Sequence, residues 1–215
     1  MIRLLAASMG IVVAAVWLLI SRWERPGRGA KHRVRLRAPR LVGLGFDGSL
    51  LAQLLYPLLV AIAPGWAYKG RANWSSSFDV PVQSAGLVVW VLGITVLLWA
   101  ARVMGRHLAV EGLASEHELV TSGPYRYVRH PVYASFIAIA AGTALVFRSY
   151  VLLGPILVLV ATGLWWAKAE ERLLSSRDGF GDTYVAYAGN TGQLLPKFSR
   201  GQRIDRLPRA SVPFA

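Results

Sequence analysis

Two short stretches carry the side chains most able to do chemistry: Arg129-His130-Pro131 and Glu170-Glu171, each at the edge of a long apolar block. Proline suits the first turn of a helix, where its missing N–H would be unpaired anyway, so a helix is predicted to start at Pro131. A helix start offers free N–H groups and partial positive charge. With the donors of Arg129 and His130 it makes a receptor for a carboxylate or phosphate. The glutamates offer the reverse: carboxylates for an ammonium, for hydroxyls, or for a proton. Between the two stretches lie apolar residues 132–147, the pair Arg148-Ser149, and apolar residues 150–167. About 16 residues out and about 18 back are nearly equal travel at roughly 1.5 Å each. An antiparallel hairpin therefore returns the glutamates to the depth of Arg129 and His130. Charge alone leaves two readings open. One is a site for a small molecule bearing both signs. The other is an interfacial Arg129–Glu171 ion pair, with Tyr125, Tyr127, Tyr133, Trp165 and Trp166 serving as an aromatic belt.

The surrounding sequence is that of a membrane protein. Of its 215 residues, 54% are hydrophobic and 16% charged, with a net charge of +13 and mean hydropathy +0.43. Apolar blocks near the roughly 20 residues a bilayer requires run over 2–20, 41–63, 84–103, 132–147 and 150–167. They predict an all-α, polytopic fold of about five transmembrane helices and disfavour a nucleic-acid-binding reading of the positive charge. No small-residue cleavage site follows the first block, so it reads as a retained span rather than a signal peptide. Residues 22–40 hold eight basic side chains against Glu24. By the positive-inside rule this loop is cytoplasmic and the N-terminus lies outside; the loop could also meet anionic headgroups. The same alternation makes 105–130 and the tail after Lys168 cytoplasmic, and puts Trp66, Tyr68 and Trp74 at the outer interface. Asp47 and Gln53 fall in the second span, with Asp47 placed near its inner end. Cysteine is absent, which excludes disulfides and thiolate chemistry. None of the four histidines has a metal-ligand spacing, so no metal site is expected. Neither GxGxxG nor a Walker A segment occurs.

From His117 to Tyr133 the sequence reads HELVTSGPYRYVRHPVY. This segment resembles the isoprenylcysteine carboxyl methyltransferase and phospholipid methyltransferase superfamily, whose pattern is LVxxGxYxxxRHPxY, a span, a turn, a span and a Glu-Glu pair. Glu170-Glu171 stand at the matching place. Phe180-Gly181, Tyr184, Tyr187 and Leu195-Pro196 resemble the family's tail. The resemblance implies a cytosol-facing methyltransferase with its pocket at the last helical hairpin, using S-adenosyl-L-methionine and a lipophilic acceptor that enters from the bilayer. On it, Leu119, Val120, Gly123, Tyr125, His130, Pro131, Tyr133 and Glu170 are expected to bind the cofactor, and Arg129 and Glu171 to serve the reaction. Tyr184 and Tyr187 either cover the pocket or anchor an interfacial helix.

Two departures stand out. Ser135 occupies a position where the family commonly has glycine, and residues 188–193 lack the basic residue usual before the Leu-Pro pair. The second bears on the acceptor site more than on the cofactor site. The expected organisation is a three-span region over 1–103, a methyltransferase-like region over 104–198 and a basic tail over 199–215. The arginine-rich composition points to a bacterial inner membrane. The alternatives are an NADPH-dependent membrane reductase of the sterol type, which shares a related hairpin but usually has an acidic residue soon after the tyrosine, and a non-catalytic homologue.

Overall fold

The computed structural model describes residues 2–24, 32–67, 73–74, 77–105, 112–114 and 118–197. The expectations placed on Tyr68 and His117 and on the 199–215 tail fall outside these residues. The elements are α1 (Ile2–Glu24), β1 (His32–Arg35), α2 (Arg40–Ile62), α3 (Pro64–Ala67), α4 (Asp79–Met104), β2 (Gly112–Ala114), α5 (Pro131–Phe147), α6 (Leu153–Leu174) and α7 (Asp182–Asn190). Single 3₁₀ turns cover Gly123–Arg126 and Tyr150–Leu152. The apolar blocks predicted from the sequence are all helical. Helices α1, α2, α4 and the stretch Tyr150–Leu174 are long and apolar enough to cross a membrane, whereas α5, at 17 residues, is a shorter apolar helix. Helix α4 begins five residues before the predicted span, with Pro81 in its first turn, where a proline's missing N–H costs nothing. The short antiparallel pairing of β1 with β2 was not expected. A run of three or four residues is too brief to leave a periodic signal in the sequence.

The chain forms two compact units. The first comprises residues up to Leu19, Pro39–Thr95 and Ser135–Gly163. Within it α2 and α5 run parallel, shown by two edge-on ring pairs in step: Phe46 with Phe136 and Tyr56 with Phe147, centroids 6.1 and 5.8 Å apart. Helices α4 and α5 run antiparallel and pack backbone to backbone. A Cβ on Gly142 would lie 2.7 Å from the Trp90 amide nitrogen and 2.8 Å from the Gly86 carbonyl oxygen. In a membrane, where apolar side chains gain little by leaving lipid, such close approach is a main source of helix association. Gly142→Ala is therefore expected to force the two backbones apart, at about 1–3 kcal/mol. In detergent this should appear as a melting temperature lower by roughly 5 °C; an unchanged melt would show that the helices yield freely here.

The α5–α6 turn of this unit is held from outside the hairpin. Asn73 Nδ2 donates to the Phe147 carbonyl and Gln83 Nε2 to that of Val146, both at 2.8 Å. Arg148, in the left-handed region at φ 51°, pairs with Asp79, and Trp74 lies against Tyr150 at 5.0 Å. Asn73 and Gln83 thus satisfy the carbonyls of the last two residues of α5, which no intrahelical donor can reach. In α2, Asp47 is exposed and Gln53 is buried.

The second unit comprises Ile20–Ala38, Val96–Ala134 and the described residues from Leu164 onward. It contains the β1–β2 pair, the 3₁₀ turn, α7, and every residue that the sequence marks for chemistry.

Candidate active site

The site is built where the residues preceding α5 meet the C-terminal end of α6. Helix α5 starts at Pro131, as its sequence requires, and α6 continues to Leu174. Glu170 and Glu171 thus sit on the last turns of a regular helix and not in a loop. His130 is buried, 6% exposed, and lies between the two carboxylates. Its Nδ1 is 3.3 Å from Glu170 Oε2 and its Nε2 is 3.1 Å from Glu171 Oε1. The Tyr133 hydroxyl donates to Glu170 Oε1 at 2.6 Å, and its ring stacks on that of His130.

Arg129 has a different set of partners. Its Nε donates to Glu171 Oε1 at 2.8 Å, and its Nη1 donates to the Ala188 carbonyl at 2.9 Å and to that of Thr191. The backbone N–H groups of Arg129 and His130 donate to the carbonyls of Gly192 and Gln193. Gln193 closes the arrangement by donating from Nε2 to Glu171 Oε1 at 3.2 Å. One oxygen of Glu171 therefore faces three donors. Arg129, expected to help receive a carboxylate or phosphate, has its guanidinium bonded within the protein. The ion pair that charge alone allowed is present. Glu170 is the more open carboxylate, 34% exposed against 23% for Glu171.

The other expected residues are distributed around this centre. Tyr125 is buried, and its carbonyl accepts a 2.5 Å hydrogen bond from the Tyr187 hydroxyl. Leu119 packs on a cluster formed by Phe180, Tyr184 and Tyr187, and Val120 is half-buried. Gly123 has φ +59°, and a Cβ there would lie 2.8 Å from a Val103 methyl and 3.1 Å from Trp99 Nε1. Its lack of a side chain is thus required both by the backbone and by the close approach of α4. Tyr184 and Tyr187 are interior residues of α7, whose rings meet at 5.9 Å. Sequence reasoning missed Gln193 and the carbonyls of residues 188–193: a charge-free stretch 22 residues beyond Glu171 carries no local sign of what it touches. Among the described residues no group of three or more histidine, aspartate or glutamate side chains is arranged to hold a metal ion.

Burial of the His130 ring opposes its charge, but the hydrogen bonds to Glu170 and Glu171 more than reverse this, so its pKa stands above the ordinary histidine value. Both ring nitrogens face carboxylate oxygens, so the protonated ring can donate from each. A raised folded-state pKa gives stability that is fully present below the unfolded value, near 6.5, and lost as pH rises through the folded one. The wild-type melting temperature is expected to fall from pH 6 to pH 9 more steeply than that of His130→Gln; parallel slopes would remove the histidine from this role. Burial pushes the Tyr125 and Tyr184 phenols up, reinforced by Glu170 at Tyr125 and by Glu171 and Glu170 at Tyr184. Both hydroxyls stay protonated.

Helices of this length and apolarity, with a charged cluster at the ends of two of them, define an integral membrane protein with a polar site. Residues 82–177 match the phospholipid methyltransferase family. Protein-S-isoprenylcysteine O-methyltransferase B of Arabidopsis thaliana is 30% identical over 122 residues, covering 54% of this chain and 59% of the relative. The nickel-cobalt-cadmium resistance protein NccN of Alcaligenes xylosoxydans xylosoxydans is 33% identical over 138 residues, covering 60% and 57%. A solved structure of the eukaryotic intramembrane Ras methyltransferase, isoprenylcysteine carboxyl methyltransferase, aligns with 90% of this chain and 62% of its own, at 21% identity and a TM-score of 0.48. The chain spans about three fifths of the length of these curated relatives. Over this stretch the chain is thus similar to phospholipid methyltransferases and to isoprenylcysteine O-methyltransferases.

Proposed function

We propose that this chain is an S-adenosyl-L-methionine-dependent methyltransferase acting on a lipophilic or membrane-partitioning acceptor that presents a carboxylate, amine or thiol. The observation that carries the reading is the placement of His130 between Glu170 and Glu171, with the Tyr125 and Tyr184 hydroxyls buried in the same unit and unpartnered. These groups fit the cofactor's chemistry. A partly exposed carboxylate suits its ammonium or ribose hydroxyls, and neutral hydroxyl donors suit its carboxylate or ribose oxygens. When bound, the cofactor supplies a methyl group on a cationic sulfur, which leaves as a neutral thioether.

The protein's contribution is then alignment and exclusion of water. Tyr133 and His130 fix the Glu170 carboxylate from both sides. Arg129 and Gln193 hold Glu171, which holds the second nitrogen of His130. An amine acceptor must also lose a proton, which a carboxylate or thiolate acceptor need not. The reading places the cofactor region within 104–198 and the three preceding spans in 1–103. It puts the site on the cytoplasmic side and the N-terminus outside, because the basic 22–40 stretch favours that orientation.

The test is titration of the purified full chain with S-adenosylmethionine, its demethylated product S-adenosylhomocysteine, and NADPH, followed by transfer of labelled methyl into a membrane lipid extract. Micromolar binding of the first two, no response to NADPH and label in the extract are expected. Saturable NADPH binding without sulfonium binding would favour the reductase alternative. Cofactor binding with no transfer would favour a non-catalytic homologue.

A further inference from the structure

Tyr184 poses a problem that its fold alone does not solve. It is 3% exposed and sits on α7 in an aromatic cluster with Phe180 and Tyr187. Its hydroxyl has no hydrogen-bond partner. Buried polar atoms nearly always find one, because leaving water without a replacement is costly. Its neighbour one turn on shows the ordinary outcome: the Tyr187 hydroxyl donates to the Tyr125 carbonyl at 2.5 Å. Phenylalanine at 184 would fill the same space in the cluster without stranding an oxygen. Tyr125, 4% exposed, has an unpartnered hydroxyl as well. Its helix meets the charged cluster directly: Arg129 Nη1 donates to the carbonyl of Ala188, one turn beyond Tyr184 and packed against the same aromatic cluster. A buried, protonated, unmatched donor beside that cluster is a group kept for something that is not protein.

We propose that the Tyr184 hydroxyl is a ligand-contacting donor, taking an oxygen of the adenosyl-amino-acid cofactor, so that α7 forms part of the binding site. This inference rests on the methyltransferase reading. The role differs from that of a surface anchor, which would leave the hydroxyl in water, and from that of a cluster residue, which would need no hydroxyl.

The experiment compares the wild-type full chain with Tyr184→Phe and Tyr187→Phe in detergent, measuring the melting temperature without ligand and the affinity for S-adenosylhomocysteine by calorimetry. Tyr184→Phe is expected to melt at or above the wild-type temperature and to bind the nucleoside about tenfold more weakly. Tyr187→Phe is expected to melt several degrees lower, because it removes a protein–protein hydrogen bond. Wild-type affinity in Tyr184→Phe overturns the assignment alone. A drop in its melting temperature like that of Tyr187→Phe also overturns it, since the hydroxyl would then have a protein partner. A wild type that does not bind the nucleoside overturns the methyl-transfer reading, and this assignment with it.

Discussion

Arg129→Ala will lose about 2–4 kcal/mol of stability, and Arg129→Lys will regain only a minor part of it. The guanidinium is 13% exposed and joins three parts of its unit. Its Nε reaches Glu171 on α6, and its Nη1 reaches the carbonyl of Ala188 in α7 and that of Thr191 just beyond. Removing it leaves a part-buried carboxylate with less compensation and two carbonyls short of a donor. A lysine ammonium is a single point and cannot reproduce a planar fork with donors on separate nitrogens. Chemical denaturation in detergent measures the effect. If alanine costs less than about 0.5 kcal/mol, the contacts are those of an ordinary surface ion pair and Arg129 does not position the site. Loss of cofactor binding in the same variant is expected, but as a consequence of misplacing Glu171.

Glu170→Gln should give the opposite pattern. We expect binding of S-adenosylhomocysteine to weaken by about 10- to 100-fold, with a smaller loss of melting temperature than in Glu171→Gln. Glu170 is a third exposed, and its contacts are with Tyr133 and His130 alone among the described hydrogen bonds and ion pairs. A glutamine amide keeps the shape and can still accept the Tyr133 hydrogen bond. It removes the charge that a ligand ammonium would meet. Glu171→Gln, by contrast, disturbs the oxygen that receives Arg129, His130 and Gln193 and should cost stability first. Equal effects of the two substitutions on both readouts would show that the adjacent glutamates do not divide the work.

These two expectations assign adjacent, chemically identical residues different tasks, and that division marks the limit of what could be read from the chain. The equal travel of the α5–α6 hairpin already put Glu170 and Glu171 beside Arg129 and His130, because helical rise is fixed and both blocks are bounded by charge. Pro131 likewise set the start of α5, since few other positions tolerate its ring and missing N–H. The apolar blocks gave the helices with small errors at their ends. The same reasoning had no access to Gln193. Its bond to Glu171 depends on α7 and the turn after it folding back over residues 125–130, through contacts between groups some sixty residues apart in sequence. The β1–β2 pair and the Gly86–Gly142 approach of α4 and α5 were hidden for the same reason.

The sequence by itself determined that this protein has long apolar helices, that a hairpin among them carries an arginine-histidine-proline entrance and two carboxylates, and that these meet. Each follows from local rules: hydropathy, helical rise and the backbone chemistry of proline. Only the tertiary structure decided which carboxylate is engaged by Arg129 and which is left more open, that the uncharged segment after Tyr187 supplies donors and acceptors to the charged centre, and that the Tyr184 hydroxyl is buried unmatched. Those outcomes depend on distances of a few ångströms between groups far apart along the chain, and hydrogen bonding falls away over lengths that no spacing of residues can specify.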